Sequence, residues 1–238
     1  MTFIGTYGKI LQPFGFFMYR GRFYKVDEEK GLVWLVTMYT GPEGVYRSLR
    51  FDCRPFCHAI EESWLQSDGS YQLDALYRRW CGQGRIDANR LGGSRDYDLA
   101  AGRQVFSEEV LGRFVEICTP EDCRLFREWY FNRISDGKFS YERLNTIYTV
   151  WEYIQMQRYE EALSSLQHAR ENWKNSQNAK VAKCGERQQM LAAFGEIESM
   201  LACKEYAMLQ QLLRERMEYS KNTCETYFGE GSMIKAKL

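Results

Sequence analysis

Five consecutive residues, Leu32-Val33-Trp34-Leu35-Val36, are apolar on both parities of an extended chain. A strand sends alternate side chains to opposite faces, so this run has no side it can leave in water and must be covered twice. The run sits in a stretch from Phe14 to Gln66 that reads as a meander of four strands: Gly15 to Val26, Leu32 to Thr40, Val45 to Cys53 and Phe56 to Leu65. Turn residues at Asp27 to Gly31 and Gly41 to Gly44 separate the first three at hairpin distance. In the third, Val45, Leu49, Phe51 and Cys53 share one parity and Tyr46, Ser48, Arg50 and Asp52 the other, which predicts one buried and one wet face. The expected cover is the next segment, where Leu73, Leu76, Tyr77 and Trp80 recur at helical spacing after Asp68-Gly69-Ser70.

Five glycines between Gly82 and Gly102, with few large apolar residues, predict a linker over residues 82–104. Beyond it strand-like alternation stops and helix signals begin. Thr119-Pro120-Glu121-Asp122 combines an N-cap, a proline at the first helical position and an acid at the third. Helices are expected over Ser107 to Ile117, Pro120 to Ile134, Tyr141 to Met156, Tyr159 to Trp173 and Glu186 to Tyr227. Cys203-Lys204 is the expected turn within the last, a single long helix being the alternative. The fold class is therefore α+β, with three parts. Residues 1–81 form a small antiparallel sheet or barrel with one short helix, 82–104 a linker, and 105–238 an all-helical bundle.

The segment Tyr141 to Lys174 has about the length of one tetratricopeptide unit, and Tyr153, Tyr159, Ala162, Leu166 and Ala169 resemble that family's spaced aromatic and small positions. Thr149 and Val150 depart from the usual Leu-Gly, and Lys174 from the closing proline. The resemblance implies a helical hairpin with a protein-binding role. The first 80 residues resemble the surface-adhesin E-like β domains through the meander, Phe51-Asp52-Cys53, and Gly69-Ser70 leading to Cys81. That resemblance implies a small β domain in which Cys53 and Cys81 pair, whereas the eight cysteines in a chain of 238 residues otherwise read as reduced, buried thiols.

Each chemical motif has a plainer explanation beside it. Cys53, Cys57 and His58 carry zinc-ligand atoms, but in an extended strand Cys53 and Cys57 stand about 13 Å apart, and no Cys-x2-Cys pair occurs. No metal and no cofactor is expected. Cys118 and Cys123 flank a helix start, where the helix dipole can activate a thiol, yet no histidine is near in sequence. The only histidines are His58 and His168, the latter on a polar helix side, so no catalytic residue is named and an unrecognised enzyme is the least favoured reading. Gly92-Gly93 matches no phosphate-binding fingerprint.

Basic and acidic residues number 32 each, divided 14 to 12 up to Gln104 and 18 to 20 after it, so no half is a polycation. Arg20, Arg22, Tyr24 and Lys25 nevertheless interleave charge and rings as a nucleic-acid stacking surface does. Met1 to Lys25 does not read as a signal peptide, and no apolar run is long enough to span a bilayer as a helix, so the expected setting is cytoplasmic, without membrane insertion. Aromatic residues at 15% exceed what two modest cores need. Aromatics are enriched at contact hot spots, so the primary expectation is a non-catalytic adaptor or complex subunit binding another protein or a second copy of itself. Trp129, Tyr130, Tyr153 and Trp173 are the expected partner-binding residues; a nucleic-acid binder is the alternative.

Overall fold

The computed structural model describes residues 2–40, 47–76, 99–135, 147–175 and 185–229. The expected α+β class is the one observed: a five-stranded antiparallel sheet in the N-terminal half and mainly helices after it. The strands run β1 (Phe17–Tyr19), β2 (Arg22–Asp27), β3 (Leu32–Thr40), β4 (Arg47–Pro55) and β5 (Tyr71–Gln72), and neighbours in sequence are neighbours in the sheet. The expected single strand Gly15 to Val26 is two. Arg20 and Gly21 both take left-handed backbone, φ 48° and 79°, making a two-residue hairpin whose twist suits the flanking strands. The Asp27 to Gly31 turn is present, with Lys30 N–H donating to Asp27 Oδ1 at 3.0 Å.

The fourth expected strand, Phe56 to Leu65, is instead a 3-10 turn at Phe56–His58 and a short helix, since β4 already ends at Pro55, which has no N–H to extend a ladder. Its place at the sheet edge is taken by β5. The chain reaches β5 past Gly69, φ 79°, where a Cβ would come within 3.2 Å of the Phe51 backbone.

The helices are α1 (Phe3–Leu11), α2 (Glu62–Leu65), α3 (Leu99–Val105), α4 (Gly112–Val115), α5 (Pro120–Ile134), α6 (Ile147–Gln155), α7 (Tyr159–Asn175), α8 (Gly185–Ala202) and α9 (Tyr206–Phe228). A π-helical stretch, Phe106–Leu111, joins α3 to α4. Among the described residues no helix is long and apolar enough to cross a membrane.

Two units emerge, and they do not follow the expected boundaries. The first comprises Met1–Phe56, Ile60–Phe139 and Lys221–Leu238; the second comprises Cys57–Ala59 and Ser140–Ser220. The linker assigned to 82–104 is corrected over Leu99–Gln104, which is helical, with Ala101 in the sheet's core and Gly102 buried beside it in sequence. Residues 82–98 lie outside the described ones. Helices as far as Ile134 belong with the sheet because its apolar faces demand them.

On one face Phe23, Trp34, Val36, Phe51 and Cys53 are buried with residues of α1, α3, the π-helical stretch, α4 and α5. Leu73 and Leu76 join this core as expected, while Tyr77 and Trp80 lie outside the described residues. Phe51 makes ring contacts with Tyr71, Phe106, Phe114, Phe126 and Tyr130 at centroid distances of 5.6 to 6.2 Å. Spacing of four places Phe106, Val110 and Phe114 all inward across the wider π turn.

The opposite face carries Tyr24, Leu35 and Asp52, consecutive partners across β2, β3 and β4. It is covered by α2 and by the last turns of α9, where Phe228 meets Tyr24 at 4.9 Å. Tyr24 donates its hydroxyl proton to Leu65 O at 2.6 Å. Asp52 is buried but satisfied, accepting from Cys53 N, Trp64 Nε1 and Ser70 Oγ at 2.9, 3.1 and 2.6 Å, with Arg54 Nε at 3.5 Å.

The second unit is helical. Val150, Trp151, Ile154, Ala162, Leu166, Phe194, Ile197, Leu201, Leu209 and Leu213 form its core. Two non-glycine residues in left-handed backbone, Gln157 and Lys204, end α6 and α8 in paired back-bonds that reverse the chain. The expected turn at Cys203-Lys204 is therefore where α8 gives way to α9. Tyr159 and Tyr206 stack at 3.9 Å, 7° from parallel.

Two predictions test this architecture. Replacing Asp52 with Ala strips Trp64 and Ser70 of their buried acceptor and should cost about 3 kcal/mol by urea unfolding, with Asp52→Asn costing less. Alkali should destabilise the protein for a separate reason. Burial, followed by Tyr227, pushes the Tyr24 hydroxyl up; burial, followed by Cys123, pushes the Cys53 thiol up; and burial drives Cys224 to about 12 from an ordinary 9.0. A group held neutral in the fold stabilises it fully below the unfolded value and ceases to do so as pH rises through the folded value. Urea midpoints should fall from pH about 9 to about 12, and Cys224→Ala should flatten part of that slope.

Candidate docking groove on α5

Helix α5 begins as its sequence demands. Thr119 Oγ1 accepts from Asp122 N at 3.1 Å, Asp122 Oδ2 accepts from Thr119 N at 2.9 Å, and Pro120 fills the first helical position. Cys118 N also donates to Asp122 Oδ2 at 3.0 Å, fixing the entering chain. From this start the helix presents two rows. Cys123, Phe126 and Tyr130 turn into the core, while Asp122, Leu125, Phe126 and Trp129, spaced i, i+3, i+4 and i+7, line one side of a surface groove.

The groove has a volume of about 250 Å3 and is completed by Arg113, Glu116 and Ile117. Its lining is about equally polar and apolar, with charges of both signs from Arg113, Glu116 and Asp122. Leu125 is 47% exposed. Trp129 is half-buried, its ring 5.3 Å from that of Phe126, with the Arg113 guanidinium 5.2 Å over it. The space suits one or two side chains of another chain better than a whole small-molecule ligand.

Of the four expected partner-binding residues, Trp129 alone lines this groove. Tyr130 is corrected: it is 3% exposed, and its hydroxyl both accepts from Gln72 N at 2.9 Å and donates to Gln72 O at 2.8 Å, holding β5. Tyr153 belongs to the second unit, half-buried with the Arg158 guanidinium 5.0 Å over its ring. The Trp173 side chain lies outside the described residues. Arg113, Ile117, Leu125 and Phe126 were not named from sequence, although the 122-125-126-129 spacing was a usable signal.

The four residues of the expected nucleic-acid surface do not share a face. Tyr24 is fully buried, so its ring cannot stack on a base. Arg22 bonds Gln66 O at 2.7 Å and lies 3.9 Å from Asp68, while Arg20 rests over the Tyr19 and Tyr227 rings. Lys25 is on the other face of the sheet, 4.7 Å over the Trp34 ring, where burial lowers its pKa.

Cys81, the expected partner of Cys53, lies outside the described residues, and the Cys53 sulfur is 3.6 Å from that of Cys123. Cys123, whose helix-start position raised the prospect of a reactive thiol, is buried. Cys118 is the exposed member, 3.5 Å from Lys30 Nζ, an interaction that raises the lysine's pKa ahead of Asp27.

Among the described residues no three His, Cys, Asp or Glu side chains converge as metal ligands. Cys53 lies in the first unit and Cys57 and His58 in the second. There His58 Nε2 is 2.9 Å from Glu152 Oε1, beneath the Tyr148 ring, and Arg216 Nε donates to Cys57 O at 2.9 Å. A carboxylate-oriented imidazole is half of a general-base arrangement. At 3% and 0% side-chain exposure, the pair is a buried contact of this structure. His168 is exposed, its Nδ1 bonded to Ser164 O at 2.7 Å.

Comparison with protein-family models, with curated proteins and with solved structures finds no match to this chain. The tetratricopeptide-like and adhesin-E-like resemblances accordingly rest on the residues quoted for them.

Removing the Glu152 carboxylate by Glu152→Ala should cost about 3 to 4 kcal/mol of stability in chemical denaturation. Glu152→Gln, which keeps an oxygen for the imidazole, should recover a substantial part.

Proposed function

We propose that this protein is a non-catalytic adaptor or assembly subunit that works in the cytoplasm by binding another protein. The observation that supports this reading is the groove where exposed Leu125 and half-buried Trp129 stand beside Arg113. A tryptophan and an arginine beside an exposed leucine have the composition of an interface hot spot. The size of the groove favours an inserted side chain, so the partner contributes an apolar anchor from a helix or an extended segment.

The test is capture of the tagged protein's partners from its own cells, with nuclease and without. The expected result is a stoichiometric protein partner that survives nuclease. Binding should weaken by about 30-fold or more in Trp129→Ala, the equivalent of about 2 kcal/mol for a hot-spot residue. Leu125→Asp should also weaken it, while Met18→Asp, at an exposed position elsewhere, should leave it intact. A partner indifferent to both groove substitutions would refute the site. Recovery of nuclease-sensitive nucleic acid alone would refute the protein-binding function.

A further inference from the structure

Cys53 and Trp34 are partners across β4 and β3, which places the cysteine on the sheet face that α5 covers. Cys123 lies in the first turn of α5. The residues are 6% and 3% exposed, and their sulfurs are 3.6 Å apart. The seam behind them is set without sulfur. Phe51, two residues back on the same face of β4, meets Phe126 at 6.2 Å and Tyr130 at 6.0 Å, and these follow Cys123 by three and seven positions. Strand and helix are thus registered by aromatic packing, and the thiols meet at its end. Closing 3.6 Å to a disulfide bond of about 2.05 Å requires an approach of about 1.6 Å.

We infer that Cys53 and Cys123 are an oxidisable dithiol that a peroxide converts to an intramolecular disulfide, fastening the first turn of α5 to β4. One sulfur takes an oxygen from hydrogen peroxide, the O–O bond breaks and water leaves, giving a sulfenic acid. The second sulfur attacks the first, the S–S bond forms, and the hydroxyl departs with the second thiol's proton as water. Two thiols and one peroxide become one disulfide and two waters. Because burial holds the Cys53 thiol well above its ordinary range, the reaction is slow at neutral pH and accelerates in alkali. The exposed Cys118 and Cys203 therefore meet an alkylating reagent first. The pair spans 70 positions of chain, so bridging it restricts the unfolded state strongly. This inference stands independently of the groove's role.

The experiment is to alkylate the native protein with iodoacetamide, treat it with hydrogen peroxide, and map its peptides under non-reducing conditions. The expected product is lighter by about 2 Da than the alkylated protein, joins Cys53 to Cys123, unfolds about 5 °C or more higher, and reverts with dithiothreitol. Cys53→Ser and Cys123→Ser should each abolish it, and Cys118→Ser should not. Recovery of Cys53 and Cys123 as thiols after peroxide, or a map joining Cys53 to Cys81, would overturn the assignment. If the serine variants fail to fold, the map of the unsubstituted protein decides.

Discussion

A strand that is apolar on both parities must be roofed on both sides, and β3 imposes that obligation on much of this chain. On one side the largest buried residue is Trp34, whose indole N–H needs an acceptor once water is gone. It donates to Phe114 O at 2.9 Å, a carbonyl near the end of α4. The last carbonyls of a helix lack partners within it, so one bond satisfies a buried donor and a helix end together. It also fixes where the helical stretch beginning at Leu99 must stop over the sheet. The aromatic rings around Phe51 pack beneath that fixed point, which accounts for a good share of the aromatic surplus.

The other side meets the same obligation with polar groups as well as rings. Asp52 lies opposite Leu35 in the register, yet its carboxylate stays buried because backbone, indole and hydroxyl donors converge on it from β4, α2 and the turn before β5. Tyr24 ties β2 to the end of α2 through Leu65 O. Tyr227 and Phe228 close over Tyr24 from a helix that the chain reaches only after building most of the second unit. The sheet's cover is thus drawn from both ends of the sequence, and the first unit cannot be a continuous N-terminal block.

Legibility followed the range of the forces. The double coverage of β3 and the capping box at Thr119 depend on neighbouring residues and were readable. Glycine was the least reliable sign. Gly102 marks close packing inside a helix rather than a linker, and Gly5 and Gly8 hid α1, although Phe3, Tyr7 and Leu11 follow helical spacing and Gly8 packs near the Phe23 ring. The reversal at Arg20 was masked for the opposite reason, since a non-glycine residue holds the left-handed backbone there, whereas the breaks at Gln157 and Lys204 fell between expected helices although non-glycine residues hold them too. His58 and Glu152 are 94 residues apart, and nothing local joins them. Trp129 and Tyr130 are adjacent in sequence but about 100° apart around the helix, so composition could name both while only packing could separate them.

Phe126 belongs to both rows of α5. It touches Phe51 and Phe114 in the core and also forms part of the groove wall beside Trp129. The groove is therefore shaped by the sheet's own packing rather than by a loop that must order on contact. A surface whose floor is already fixed loses little conformational freedom when a partner inserts a side chain, and less of the contact energy is consumed in ordering it. The same coupling carries a cost: any change that shifts Phe126 to enlarge the groove also disturbs Phe51, so adjustments compatible with the fold fall on residues outside the core, Leu125, Glu116, Trp129 and the Arg113 that covers its ring.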